Sequence, residues 1–339
     1  MTTAQDNVDL HDTDLDDTAL SDDPFDVWYS PTLDQSTLRG LMRRTNVHGL
    51  LTLGIWLLFC IATGTIVGLT RHTLWVWPAM VLYGGVLCFA YAASHECAHG
   101  TAFKSRRLNE IVFWFTSLVF IEEPLYRRYS HAGHHTSTWF NDLDPQKPYG
   151  NPLTLGRYLS GTFGLTFYFD AVRQLIRHSR GRFTPQELEF LPPPEVRKAI
   201  INSRLMSACY AALLIGGIVF QSSWPFILYF IPRFLGGCLV TLYINTQHMC
   251  MAEDIYDHRQ TTRSIKAGWI ERRLYWNMNY HIEHHLYPAV PFHALPELSK
   301  SIGHQLPPPL GGVIAANADI LRAISRQRTE PGFNLSRAK

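Results

Sequence analysis

Eight histidines in this sequence occur at spacings that suit metal binding, and a ninth, isolated histidine is a further candidate. They form one H-x-x-x-H cluster, two H-x-x-H-H clusters and one isolated position. The nine are His95 and His99, then His131, His134 and His135, then His248, and finally His281, His284 and His285. Imidazole nitrogen binds iron, copper, nickel and zinc, so the pattern indicates a transition-metal site without choosing the metal.

Helix geometry predicts how the clusters share ligands. On a helix, His95 and His99 lie on one face with Cβ atoms about 5–6 Å apart. In each H-x-x-H-H cluster we expect the i, i+3 pair to share a face and the adjacent histidine to point about 100° away. A tetrahedral metal takes four ligands. Eight or nine imidazoles therefore predict two metals side by side.

Two acidic residues lie inside the clusters. Glu96 and Glu283 are predicted to orient imidazoles through hydrogen bonds, unless they simply face solvent. The other seven histidines have no neighbours at ligand spacing, so we expect them to be structural or on the surface. These are His11, His48, His72, His178, His258, His293 and His304.

Four long apolar segments must position the clusters. A membrane-spanning helix needs roughly 20 apolar residues. The predicted spans are about residues 50–70, 74–94, 205–221 and 224–245, joined by short connections into two hairpins. We therefore predict an all-α integral membrane protein with four transmembrane helices and a cytoplasmic helical cap that holds a His-rich dimetal site.

The loops predict the orientation of these spans. Basic residues concentrate on the side of the histidine clusters, notably in the stretch from Arg173 to Arg204, whereas Arg71 lies on the other side. The positive-inside rule then places both termini and the active site in the cytoplasm. The apolar stretches 111–121 and 158–169 are too short to span and are expected to be interfacial or re-entrant.

Charge is distributed unevenly along the chain. Lys and Arg number 30 and Asp and Glu 28, but ten of the Asp residues precede Arg39, so residues 35–339 carry 30 positive against 18 negative charges, a net +12. We predict an acidic, largely disordered tail at 1–34, a membrane domain at 35–310 and a cytoplasmic tail at 311–339. The basic body suits membrane lipids or an acidic protein partner and is not patterned for nucleic acid. The six cysteines show no C-x-x-C spacing, so no disulfide framework is expected.

A dizinc membrane hydrolase is the alternative of a different class. The histidines taken alone permit it. However, the sequence has no G-x-S-x-G nucleophile motif and no carboxylate clearly placed to activate water.

Taken in order, the spans and clusters resemble the membrane fatty acid desaturase family, a superfamily of diiron desaturases and hydroxylases marked by three histidine boxes. The resemblance covers roughly residues 40–300 and extends to flanking residues such as Asp144-Pro145. It implies that the eight box histidines are ligands of two irons and that His248 matches an additional family histidine. Members often hold a bridging water with an Asn one helical turn before that histidine. The nearest Asn here is Asn245, three residues back rather than four.

The resemblance also implies the reaction and its partners. We expect O2 and two external electrons to desaturate an aliphatic C–C bond, most often in a fatty acyl chain, with hydroxylation or oxygenation of a lipid or small metabolite as the alternative. The sequence contains no cytochrome b5-like segment, C-x-x-C or G-x-G-x-x-G, so a separate ferredoxin- or cytochrome-type donor and its reductase are expected. Arg233, inside the fourth span, is a candidate contact for an acidic headgroup or carboxylate of the substrate, unless it snorkels to the interface or the span boundary lies elsewhere.

Overall fold

The computed structural model describes residues 28–337, and within them the regular structure is helical, with one isolated β-bridge between Ile265 and Leu310. The all-helical prediction is thereby confirmed. In chain order the α-helices are α1 (Gln35–Leu41), α2 (Val47–Thr70), α3 (Val76–Cys88), α4 (Ala90–Ala98), α5 (Arg106–Phe120), α6 (Pro124–Thr136), α7 (Leu155–Thr162), α8 (Leu165–Ser179), α9 (Pro185–Phe190), α10 (Pro193–Val219), α11 (Ile231–His248), α12 (His258–Thr261), α13 (Trp269–Leu274), α14 (His281–Leu286), α15 (Leu295–Ile302) and α16 (Val313–Arg326). A π-helical segment, Phe226–Phe230, leads into α11, and 3-10 turns occupy Phe292–Ala294 and Gly303–Gln305.

Among residues 28–337, four helical segments are long and apolar enough to cross a membrane. They are Val47–Thr70, Val76–Ala98, Pro193–Val219 and Phe226–His248. Each coincides with a predicted span, although the third begins well before residue 205. Its helix starts at Pro193, where proline is tolerated because a first-turn residue needs no N–H donor.

The second of these segments, α3 with α4, lies at the centre of the helical array. Within it, 67% of the apolar stretch is buried inside the protein, against 17% to 28% in the other three. The outer segments instead expose apolar side chains such as Leu58, Ile218 and Phe234, as a lipid-facing surface requires. The central segment therefore carries His95 and His99 into the interior.

Glycines allow α3 and α11 to pack at backbone contact. A Cβ atom on Gly84 would collide with the carbonyl group of Pro232, and one on Gly236 would collide with the backbone of Val81 and Gly85. Small residues permit this close approach in membrane helix pairs, where packing rather than water exclusion drives association. The seam fixes α11, and with it His248, against the central segment.

An aromatic core lies beside the histidine-bearing end of the central segment. Trp56, Phe103, Phe113 and Trp276 are almost completely buried there. The indole Nε1 of Trp56 donates a hydrogen bond of 2.8 Å to the carbonyl oxygen of Val86, which satisfies the polar atom of this buried ring. The core thereby holds the central segment against its neighbours.

Segments assigned to the tails pack against the body of the protein. The ring of Trp28 stacks on His258 with centroids 4.1 Å apart, and the backbone N–H of Thr32 donates to Gln305 Oε1 at 2.8 Å. Near the other terminus, α16 buries Ile320 completely. These contacts bring residues 28–34 and α16 against the described body of the protein, and the domain boundaries at 34 and 311 stay predictions. Residues 1–27, where disorder was predicted, lie outside the described residues.

Candidate metal centre

The nine predicted histidines come together in two adjacent groups. One ring nitrogen from each of His95, His99, His131, His135 and His284 lies within 4.8 Å of the others, and the same holds for His134, His248 and His285. His281 joins the second group, since its Nε2 lies 3.0 Å from His248 Nε2 and 3.2 Å from His285 Nε2. We call the set of five group one and the set of four group two. Helices α4, α6, α11 and α14 supply eight of them, and His99 directly follows α4.

The predicted pairing within the H-x-x-H-H clusters is wrong. In α6 the first and last histidines approach each other, with His131 and His135 Nε2 atoms 3.2 Å apart, and both belong to group one, while His134 belongs to group two. In α14, His281 and His285 share group two while His284 belongs to group one. The physical reason is rotational: at about 100° per residue, i+4 returns to within about 40° of i, whereas i+3 stops about 60° short.

The spacing of the facing nitrogens fits metal coordination. Imidazole nitrogen binds a metal such as zinc at about 2.0–2.1 Å, so neighbouring ligands around one ion lie roughly 3.0–3.4 Å apart. Three Nε2 pairs lie at 3.0 to 3.2 Å. Two unprotonated nitrogens at that distance repel each other unless a proton or a metal lies between them, so the donor set fits transition-metal ions.

Oxygen atoms around the site fix the orientation of three imidazoles. His134 Nδ1 donates to Asp144 Oδ2 at 2.8 Å, His131 Nδ1 to Gln146 Oε1 at 2.9 Å, and His248 Nδ1 to the carbonyl oxygen of Thr261 at 3.0 Å. Because the Nδ1 proton is held outward, the Nε2 lone pair of each ring faces inward. This is the usual arrangement around metal-binding histidines.

Glu96 and Glu283, predicted to orient imidazoles, bind other groups. Glu96 Oε1 accepts from the Thr101 hydroxyl and from the Phe292 backbone N–H, at 2.5 and 3.0 Å. Glu283 accepts from Ser264 and Ser299, each at 2.6 Å. Neither carboxylate has a hydrogen bond to an imidazole among residues 28–337, so the two side chains connect neighbouring segments instead.

Burial favours the neutral form of His99 and His284. Burial and then the positive charge of Arg127 lower the pKa of His99 to about 3. Burial also lowers the pKa of His284 well below its ordinary range. Both ring nitrogens of His95 and of His284 are buried without a hydrogen-bond partner among residues 28–337. Neutral imidazoles with free nitrogens are the form that binds metal.

A cavity of about 520 Å³ reaches this centre. Five of the nine histidines line it, namely His95, His131, His134, His248 and His281. Its wall continues along Phe120, Phe167 and Val240 and also includes polar side chains such as Arg127 and Gln247. The volume is in the range of small-molecule sites, and the cavity leads from the histidines between α6, α8 and α11.

The other two predicted residues, Asn245 and Arg233, differ in whether they line the cavity. Asn245 lines the cavity and donates through Nδ2 to the Thr162 hydroxyl at 2.9 Å. Arg233 is buried and donates to the Tyr229 hydroxyl at 2.6 Å, so it does not snorkel to the interface. It is also absent from the cavity wall. The predicted substrate contact of Arg233 therefore does not match its position.

Comparison with known proteins agrees with this site. The family model described as fatty acid desaturase matches residues 72–314, which include all nine histidines. The chain belongs to the fatty acid desaturase family. This membership confirms the resemblance seen in the histidine boxes, and the four membrane-length helices among residues 28–337 agree with it.

Curated relatives within this family are distant. A probable fatty acid desaturase, DES1, of Sorghum bicolor is 24% identical over 67% of this chain and 63% of its own length. The chloroplastic omega-3 fatty acid desaturase of Glycine max is 26% identical over 67% of this chain and 54% of its own length. The sphingolipid delta(4)-desaturase DES1 of Drosophila melanogaster is 26% identical over 67% and 66%. The chain thus spans less than two thirds of the length of these relatives.

Several residues of the site have no signal in the histidine pattern. Thr138, whose hydroxyl lies 3.2 Å from His285 Nδ1, and Gln146 come from the segment after α6. His258, expected to be structural or exposed, is buried with its ring centroid 5.1 Å from that of His285. Asp144 had a signal as part of the Asp-Pro pair that flanks the second box in the family.

Proposed function

We propose that this chain is a diiron oxidoreductase that uses O2 and two external electrons to desaturate an aliphatic C–C bond. Groups one and two would each hold one iron, and the pair would supply oxygen activation and hydrogen abstraction. The observation that supports this most directly is the convergence of nine imidazoles in two adjacent groups, in a chain of the fatty acid desaturase family.

The side chains of the protein hold the centre and shape access to it. Asp144, Gln146 and the Thr261 carbonyl keep three Nδ1 protons outward. The Trp139 ring stacks on His248 with centroids 5.3 Å apart and lines the cavity, so it limits water at this wall. The reacting C–H bonds would lie where His95 and His131 border the cavity.

The balance of the reaction separates desaturation from its alternative. Desaturation converts O2, two electrons, two protons and a saturated C–C unit into an alkene and two waters. Hydroxylation inserts one oxygen atom and releases one water. The mass of the product therefore distinguishes a loss of two hydrogens from a gain of one oxygen.

Electrons would come from a separate ferredoxin- or cytochrome-type donor and its reductase. We place the centre and both termini on the cytoplasmic side, on the basis of the basic residues that flank the spans. The net charge of +12 over residues 35–339 would attract an acidic donor to this face.

Metal analysis tests the proposal. Elemental mass spectrometry of detergent-purified protein is expected to give two irons per chain in the wild type. His284→Ala should lose iron, because the buried His284 ring belongs to group one. His304→Ala is the matched control, since His304 is exposed and belongs to neither group, and it should retain both irons.

Zinc is the outcome that would overturn diiron chemistry. Two zinc ions per chain that persist after expression in iron-rich medium, with activity independent of O2 and reductant, would favour the dizinc hydrolase instead. Full iron content in folded His284→Ala protein would remove His284 from the ligand set.

A further inference from the structure

Arg127 is a buried cation in the cavity wall beside the histidines. Its side chain is 5% exposed, and its guanidinium lies over the Tyr91 ring, 5.0 Å from the centroid. Nη1 faces Glu122 Oε2 at 3.3 Å. Nε and Nη2 are buried and have no hydrogen-bond partner among residues 28–337. Leaving buried charged N–H groups without acceptors is costly, so a ligand acceptor is expected at this edge.

The chemistry of the unpartnered edge indicates which ligand it would accept. Nε and Nη2 present two parallel N–H donors along one side of the planar guanidinium. This edge matches the two oxygens of a carboxylate, which it binds through a bidentate pair of charge-assisted hydrogen bonds. A neutral amide offers only one oxygen acceptor to the same pair of donors.

Other cations near the site lack this combination. Lys147 lines the same cavity, but its Nζ lies 3.0 Å from Glu253 Oε1 and donates to Asn141. Arg233 also has unpartnered Nε and Nη2 atoms, yet it does not line the cavity. Arg127 is therefore the cation that combines a free donor edge with a position on the cavity wall.

The position of Arg127 limits which carbon is oxidised. Arg127 precedes His131 by four residues on α6, an axial rise of about 6 Å, and both line the same cavity. A carboxylate on Arg127 would bring the first few carbons of its chain beside His131. A mid-chain carbon of a long acyl group bound in this way would extend beyond the centre.

We infer that the substrate is a carboxylic acid that is bound through the Nε and Nη2 edge of Arg127 and oxidised within the first few carbons of its acid group. This inference rests on the proposed function, because it takes the histidine centre as the place of oxidation. The cavity of about 520 Å³ suits an acid of short or medium chain length.

Binding of hexanoate and hexanamide tests the carboxylate site without turnover. Isothermal titration of iron-loaded protein in detergent, with no reductant present, is expected to show at least about 10-fold tighter binding of hexanoate, as hydrogen bonds to charged groups predict. In Arg127→Gln this preference should disappear. Arg128→Gln is the matched control: Arg128 pairs with Glu110 at 2.7 Å, outside the cavity wall, and the preference should remain.

Two further variants test the carboxylate site if Arg127→Gln does not fold. Arg127→Gln/Glu122→Gln removes both charges of the buried pair and should also bind both compounds alike. Glu122→Gln alone removes the competing carboxylate, so hexanoate should bind at least as tightly as in the wild type. Equal binding of hexanoate and hexanamide by the wild type, or a retained preference in folded Arg127→Gln, would overturn the inference.

Product analysis separates this inference from the proposed function. Iron-dependent oxidation of a long acyl chain at a mid-chain position, with no preference for free acids, would overturn the inference and leave the function standing. Arg127-dependent binding of hexanoate by a protein that holds no iron and consumes no O2 would overturn the function and leave the carboxylate site established.

Discussion

Asp144→Asn is the substitution whose effect on the metal centre follows most directly from the structure. Asp144 Oδ2 accepts hydrogen bonds from His134 Nδ1 and the Trp139 backbone N–H, and Oδ1 accepts from the Gln146 backbone N–H, each at 2.8 Å. An asparagine has one oxygen and one NH2 group. In either orientation of the amide, its NH2 group faces at least one of the N–H donors that the carboxylate accepts from.

The magnitude follows from those three bonds. A buried donor left without an acceptor costs about 1–3 kcal/mol, and loss of a carboxylate behind a metal-binding histidine typically costs about 10- to 100-fold in metal affinity or activity. We expect Asp144→Asn to release iron at a chelator concentration at least about tenfold lower than the wild type. Iron per chain is measured by elemental mass spectrometry after incubation with increasing bipyridyl.

Asp142→Asn is the matched control for this experiment. Asp142 is exposed, two residues away, and has φ of 61°, a left-handed conformation that asparagine also tolerates. The control should retain iron as the wild type does. Equal chelator resistance of folded Asp144→Asn and wild type would refute the argument that this carboxylate holds His134 in place for metal binding.

Three further perturbations have defined outcomes. Burial raises the pKa of Glu123 from 4.5 to about 7. Its contribution to the free energy of unfolding is therefore present below pH 4.5 and lost as the pH rises through 7. The melting temperature of Glu123→Gln should rise relative to that of the wild type between pH 5 and pH 8, and a difference that stays constant with pH would contradict this. Gly84→Ala should destabilise the seam between α3 and α11 by about 1–3 kcal/mol and lower the melting temperature, whereas Gly54→Ala, with open space at its Cβ, should not. Reduction by an acidic ferredoxin should slow as ionic strength rises, because salt screens the net charge of +12 on residues 35–339; a rate independent of salt would exclude electrostatic steering.

The sequence predicts those features that depend on local pattern. Apolar runs of membrane-spanning length appear as four long helices. The histidine spacings identify eight of the nine residues that converge, and His248 is identified by its place at the end of the fourth apolar run. Both patterns lie within single segments of the sequence, so they can be recognised without knowledge of the tertiary fold.

Features that depend on contacts between segments are not predictable in this way. Asp144 and Gln146 reach the imidazoles because the chain turns back after α6, and a flanking Asp-Pro pair indicates no such partner. Arg233 draws attention as a charge inside an apolar run, yet Arg127 is the one that lines the cavity. A sequence shows that a charge lies in an apolar run, where its burial is costly. Only the fold shows which charged side chain lines a cavity and has unpartnered N–H donors.

The two H-x-x-H-H clusters divide their histidines between the two groups in opposite ways. Helix α6 supplies His131 and His135 to group one and His134 to group two, while α14 supplies His281 and His285 to group two and His284 to group one. Each helix therefore contributes an i, i+4 pair to one group and the intervening histidine to the other. Because neither helix can rotate without disturbing both groups, the repeated pattern fixes the two groups relative to each other. A single H-x-x-H-H helix could place two ligands in one group and one in the other, but the reciprocal arrangement requires a second copy of the same motif.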